Sequence, residues 1–278
     1  IPTHYRKPSV DAFKSDRTDN PIKLTIEDTE GCYRYSATTV EGITVKESPE
    51  WLKNRLKAIG LSPINNVVDI TNFVLHETGQ PLHAFDADKI KGDHVIVKTL
   101  PEGTKFKTLD EEERTLTSRD LMICNAEEGM TLAGIFGGID SGVTQKTSRV
   151  FLESAWFNPV RVRKSARYHG LNTDSSFRFE RGTDPNGTIY ALKRAALLIK
   201  ELAGGEITSD IIDEYPMPAK PFDVKFSLER FQTLAGKQID RDLILKILKS
   251  LEIEVAGEEG DKLDLKVPPY RVDVKREA

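Results

Sequence analysis

The chain has 278 residues, 38% of them hydrophobic and 30% charged, with a formal net charge of −4. This length and balance describe a soluble globular protein with room for two domains, and they exclude wholesale coating of nucleic acid, though not a local basic face. No apolar run has membrane-spanning length and no signal-peptide pattern opens the chain.

Two cysteines, Cys32 and Cys124, lie far apart and form no metal-type pair, so a reducing, cytoplasmic compartment is the simplest expectation. Both ends look cut: Ile1 replaces an initiator methionine, and Lys275–Ala278 follows a turn-and-strand pattern with no closing element. A piece of a larger protein is expected.

Residues 1–21 are polar with scattered prolines and read as a linker or the tail of an upstream domain. Alternation in Ile22–Ile26 predicts a strand, and Tyr33–Val45 adds two strand-like runs broken at Glu41-Gly42. Ser48-Pro49-Glu50 predicts a helix start with Ser48 as N-cap, and Gly60 ends that helix. Asn65–Glu77 predicts a mostly buried helix carrying Thr71 and Asn72. The segment Gly79–Asp86 (GQPLHAFD) follows, with His83 just beyond a turn.

His94–Lys98 alternates as a strand. Residues 102–116 read as hairpins around Asp110–Glu113, whose charges fit a solvated turn. Leu121–Cys124, Thr131–Ile135 and Val150–Ser154 are further strands, the second leading into Phe136-Gly137-Gly138. Val160–Tyr168 and residues 186–203 are helical, the latter stopped by Gly204-Gly205.

Hairpins mixed with helices, without βαβ alternation, predict an α+β fold with mixed or antiparallel sheets over residues 22–215. Three prolines within 216–221 mark a linker. Residues 222–278 read as part of a small winged-helix-like α+β domain. Its strand Phe222–Phe226 precedes a short helix, Leu228–Ala235. An amphipathic helix, Asp240–Leu251, presents Leu243, Ile247, Leu248 and Leu251, and two strands then pair across Gly257–Gly260.

Four features carry candidate chemistry. His83 alone leaves open a catalytic, metal-binding or structural role, although His4, His76, His94 and His169 supply no close ligand set, so no metal site is expected. Gly137-Gly138 lets a ligand approach the backbone, or forms an ordinary turn. Glu153 shares a strand face with Phe151, and an acid there is either functional or paired with one of the following arginines. Residues 161–182 hold six Lys/Arg against two Asp/Glu with interleaved Tyr168, Phe177 and Phe179. They fit a nucleic-acid backbone or a charge-laced surface.

Together, residues 63–86 (PINNVVDITNFVLHETGQPLHAFD), 134–138 (GIFGG), 150–159 (VFLESAWFNP) and 169–185 (HGLNTDSSFRFERGTDP) resemble the B3/B4 module of the bacterial phenylalanyl-tRNA synthetase beta subunit. Residues 222–274, ending VPPYRVDV, resemble the start of its B5 domain. The resemblance implies an editing site that hydrolyses tyrosine wrongly esterified to tRNA(Phe). An apolar pocket rejects an added hydroxyl only weakly, whereas a site that hydrogen-bonds this hydroxyl rejects phenylalanine strongly.

By resemblance, Glu153 recognises the tyrosine hydroxyl, and Gly137 and Gly138 line the pocket with Pro81 in its wall. Thr71 and Asn72 lie near the terminal adenosine. His83 sits beside the ester, and Thr173 and Ser175 help position the water, although Ser175 departs from relatives with alanine there. His83, Thr173 and Asn72 would orient water and carbonyl without metal or covalent intermediate. The resemblance further implies an alpha2beta2 assembly with an alpha subunit, with ATP and Mg2+ used by the whole enzyme and no cofactor in this piece. Neither a membrane nor a DNA role is expected. The rivals are a non-catalytic tRNA-binding or scaffold module and a B3/B4-like accessory domain of another tRNA-handling enzyme, against which the B5-like segment argues.

Overall fold

A computed structural model describes residues 6–19 and 21–277. The chain divides into two compact units, Ile1–Met217 and Pro218–Ala278. The larger opens with a segment lacking helix or strand. The expected linker is, over its described part, strapped to this unit: Asp16 accepts from Lys200 Nζ at 2.6 Å and from the Ile207 amide, and Phe13 packs on the core. Ile1–Tyr5, which include His4, and Asn20 and Ala278 lie outside the described residues.

Strands β1 (Lys23–Ile26) and β2 (Cys32–Glu41) follow. β2 is one continuous strand. Helix α1 (Glu50–Ala58) has Pro49, not Ser48, at its N-cap. Ser48 instead donates to Asp69 Oδ2 at 2.6 Å, in the first turn of α2 (Asn66–Thr78), because burial makes a tertiary partner better than the cap. The Asn65 side chain caps α2, and Gly79 ends it with φ 78°.

β3 (Leu82–Asp86) and β4 (His94–Thr99) precede a short hairpin, β5 (Lys105–Lys107) and β6 (Glu113–Thr115). β7 (Leu121–Cys124) leads to β8 (Gly129–Leu132) and β9 (Phe136–Gly137), so the strand expected over Thr131–Ile135 ends early, where Gly134 turns with φ 69°. β10 (Arg149–Phe157) is the long central strand. Helices α3 (Pro159–Tyr168), α4 (Asp174–Phe179) and α5 (Thr188–Ala203) come next, then β11 (Glu206–Ile207) and β12 (Ile212–Glu214).

One sheet runs β1-β4-β7-β8-β9, antiparallel except for β1 with β4. The other, wholly antiparallel, runs β11-β2-β10-β3, with β12 also on β2. Tyr35, Ala37, Phe85, Phe151 and Ala155 on one of its faces join the core shared with the first sheet. Val40, Leu82, Ala84, Val150 and Leu152 on the other join the core beneath α1, α2 and α5. Burial on both faces explains why β10 reads as an almost unbroken apolar run rather than an alternation. The architecture is α+β.

The smaller unit carries β13 (Phe222–Ser227), α6 (Leu228–Ala235), α7 (Arg241–Ser250), β14 (Glu254–Glu259) and β15 (Lys262–Val267). Its sheet has the order β13-β15-β14, all antiparallel. α7 buries Ile244 and Leu248, while Leu243, Ile247 and Leu251 stay exposed. The helix bears two apolar rows, and only the first packs on the sheet. Among the described residues no helix is long and apolar enough to cross a membrane.

Candidate functional site

Register creates the site. Glu153 on β10 is the direct cross-strand partner of His83 on β3, so both side chains leave the same face of the sheet. That face is otherwise aromatic and aliphatic, with Phe85, Phe151 and Tyr35 fully buried. The motif around His83 is explained by this alternation: His83 and Phe85 look between the sheets, with ring centroids 4.4 Å apart, while Leu82 and Ala84 face the helices. Asp86 ends the strand by accepting from Thr147 Oγ1 at 2.7 Å.

Glu153 is 5% exposed and has no cationic partner among the described residues. The ion pair with a following arginine does not form: the carboxyl's single hydrogen bond among the described residues comes from the Tyr35 hydroxyl, 2.8 Å from Oε2. Burial pushes the carboxyl up to about 8, against the opposing pull of that hydrogen bond. Glu153 therefore holds its proton at neutral pH, and Oε1 remains free to pair with a ligand hydroxyl. His83 is half-buried, but its Nε2 is enclosed and without a partner. Burial lowers the ring to about 4, so a neutral imidazole faces the site.

These side chains line a cavity of about 550 Å³ between the sheets. Thr71 and Asn72 of α2, Pro81, His83, Gly137, Glu153, Thr173 and Ser175 all line it. The structure thus brings together every residue expected there except Gly138. The Gly138 amide donates to the Met130 carbonyl, and this glycine lines a separate cavity behind the β8–β9 hairpin. Space is tight at both glycines, against side chains at Gly137 and against backbone at Gly138. A Cβ on Gly137 would sit 2.9 Å from Leu109 Cδ1 and 3.3 Å from His83 Cε1; on Gly138 it would sit 2.6 Å from the Met130 carbonyl oxygen.

Thr173 is the N-cap of α4: its hydroxyl accepts from the Ser176 amide and donates to the Ile135 carbonyl at 2.9 Å. With its proton so committed, this hydroxyl can only accept from a bound water. Thr71 spends its proton on the Val68 carbonyl, whereas the side chains of Asn72 and Ser175 make no hydrogen bond among the described residues. His76 of α2 and Asp174 of α4 approach to 3.7 Å, joining the two helices beside the cavity.

Sequence reasoning missed Tyr35 and Thr131. Strand alternation places Tyr35 on the buried face, and a buried phenol needs a partner, but only the register shows that the partner is Glu153. Thr131 of β8 lines the same cavity, 4% exposed, its hydroxyl unpartnered. Among the described residues no group of three or more His, Cys, Asp or Glu could hold a metal ion.

A family model for the B3/4 domain matches residues 31–204, the span that holds every element of the cavity. The chain belongs to the B3/4 family. A model for the tRNA synthetase B5 domain matches residues 224–278. Along nearly its whole length this B3/4–B5 chain is similar to phenylalanine–tRNA ligase beta subunits. It is 60% identical over 271 residues to that of Bacteroides fragilis strain YCH46, covering 98% of this chain and 33% of the relative. The Porphyromonas gingivalis subunit is 52% identical over 278 residues, covering 100% of this chain and 34% of the relative. The B3/4–B5 chain therefore spans about a third of the length of these relatives. Among solved structures, an N-terminal fragment of the phenylalanyl-tRNA synthetase beta-subunit from Pyrococcus horikoshii is 17% identical with a TM-score of 0.46, covering 93% of this chain and 72% of that one.

Proposed function

We propose that the cavity is an editing site, which hydrolyses tyrosine wrongly esterified to tRNA(Phe), in the beta subunit of a cytoplasmic phenylalanine–tRNA ligase that works with an alpha subunit. The observation that carries this reading is Glu153: a carboxyl in the cavity wall whose Oε1 is unpaired among the described residues is placed to pair with a polar group on a ligand. Phenylalanine would leave that oxygen unpaired, which costs more than an extra hydroxyl costs in an apolar pocket.

His83 lies beside Glu153 on the same sheet face, and its neutral ring can accept a proton from water or donate to the ester carbonyl. Asn72 offers a free amide, and Thr173 an acceptor. An aminoacyl ester is already activated, so orienting water against it is sufficient chemistry and needs neither metal nor covalent intermediate. Against the scaffold alternative stands the Glu153 carboxyl, which a scaffold has no use for in a cavity wall without a cation beside it among the described residues.

The test is deacylation of tyrosyl-tRNA(Phe) by the intact enzyme. Glu153→Ala and His83→Ala should each slow it by at least tenfold, with aminoacylation by phenylalanine kept. Parental clearance in both variants refutes the assignment.

A further inference from the structure

The polar complement of the cavity is larger than the family motifs supply. On the wall opposite His83, Thr131 of β8 pairs in register with Gly137 of β9. Cross-strand partners project from the same face of a sheet. A Cβ on Gly137 would meet His83 Cε1 at 3.3 Å, so the Thr131 side chain also looks toward the His83 and Glu153 face. Its Oγ1 is buried and has no hydrogen-bond partner among the described residues, a state buried hydroxyls generally avoid. Thr71 and Thr173, the other threonines placed in the site, both satisfy theirs locally. The first sheet thus contributes a hydroxyl without a partner among the described residues to the cavity whose wall on the second sheet holds His83 Nε2, likewise without one, and Glu153.

We propose that Thr131 is a specificity-determining residue of this cavity, its hydroxyl sharing with Glu153 the recognition of a ring hydroxyl on the substrate. The inference rests on the editing reading. A phenol has one proton to give and an oxygen that can accept. Glu153 and Thr131, approaching from opposite sheets, can satisfy both. Neither group is satisfied by a bare benzyl ring, so each adds to the penalty against phenylalanine. If Thr131 were only a packing residue, its hydroxyl would be a pure cost, and valine, its isostere, would serve better.

The experiment measures deacylation of tyrosyl-tRNA(Phe) and phenylalanyl-tRNA(Phe) by the intact enzyme carrying Thr131, Thr131→Val or Thr131→Ser. Thr131→Val should reduce the ratio of tyrosyl to phenylalanyl deacylation about tenfold, roughly the discrimination carried by one buried hydrogen bond to a substrate hydroxyl. Thr131→Ser, which restores the hydroxyl, should recover the ratio to within about threefold of the parent. Thermal stability of Thr131→Val should equal or exceed that of the parent, which separates lost recognition from damaged folding. A parental ratio in Thr131→Val overturns the inference and leaves the editing reading standing. Equal clearance of the two esters by the parent defeats the editing reading itself.

Discussion

A carboxyl with one hydroxyl donor and no cation keeps its proton far longer than one in water, and at Glu153 this has a consequence for stability. The unfolded carboxyl ionises near its ordinary 4.5 and the folded one near 8. Between those values the folded chain holds a proton that the unfolded chain has lost, so stability falls as pH rises through the window, by at most about 1.4 kcal/mol per pH unit. Glu153→Gln carries no such proton. Its stability relative to the parent should therefore grow by roughly 2 kcal/mol between about pH 5.5 and about pH 7.5, measured by denaturant unfolding. A difference that stays flat across this range would mean that Glu153 is ionised in the fold. The amide still offers an oxygen and a donor to a phenol, so Glu153→Gln should keep more of the preference for tyrosine than Glu153→Ala.

At the scale of elements, neighbouring glycines do different jobs. In Gly137→Ala the new methyl meets the flexible tip of Leu109 and the edge of the His83 ring. Deacylation of tyrosyl-tRNA(Phe) should fall by an order of magnitude or more, with less than about 1 kcal/mol lost in stability. In Gly138→Ala the methyl meets the backbone oxygen of Met130 and the Phe106 ring, neither of which can yield cheaply. That variant should lose about 2–3 kcal/mol on thermal or denaturant unfolding. Equal stability losses in the two would contradict the division of labour.

The apolar run of β10 and the apolar periodicity of α2 are written locally, and so are readable, whereas the cap expected at Ser48 was not, because that hydroxyl turns to Asp69. β3 was not expected as a strand, because its alternation is masked by burial on both faces and by the turn at Gly79 before it. α4, six residues long, is too short to show a helical period, and Thr173 is disclosed as its cap only by the fold. Pairings such as Tyr35 with Glu153 depend on register between strands more than a hundred residues apart, which no local pattern carries.

Over the whole molecule the charge is negative, so any contact with a phosphate backbone must come from a local exception. The segment 161–182 is that exception in sequence, but the structure spends half of its cations internally. Arg161 pairs with Asp28, Arg178 with Asp174 and Arg181 with Glu180. Arg163, Lys164 and Arg167 are exposed on α3, with Tyr168 beside them 64% exposed and no ion pair formed by any of the three among the described residues. α3 packs against α4, whose first residues line the cavity, so the basic helix is one element removed from it. In the intact enzyme, replacing Arg163, Lys164 and Arg167 together by alanine should weaken tRNA(Phe) binding in the editing mode. It should also lower the slope of log affinity against log salt by about 2–3, the release expected for three phosphate contacts. The turnover of bound tyrosyl-tRNA(Phe) should stay at the parental value, because none of the three touches the cavity. An unchanged salt slope would leave α3 a solvated face and move the strand's path elsewhere on the molecule.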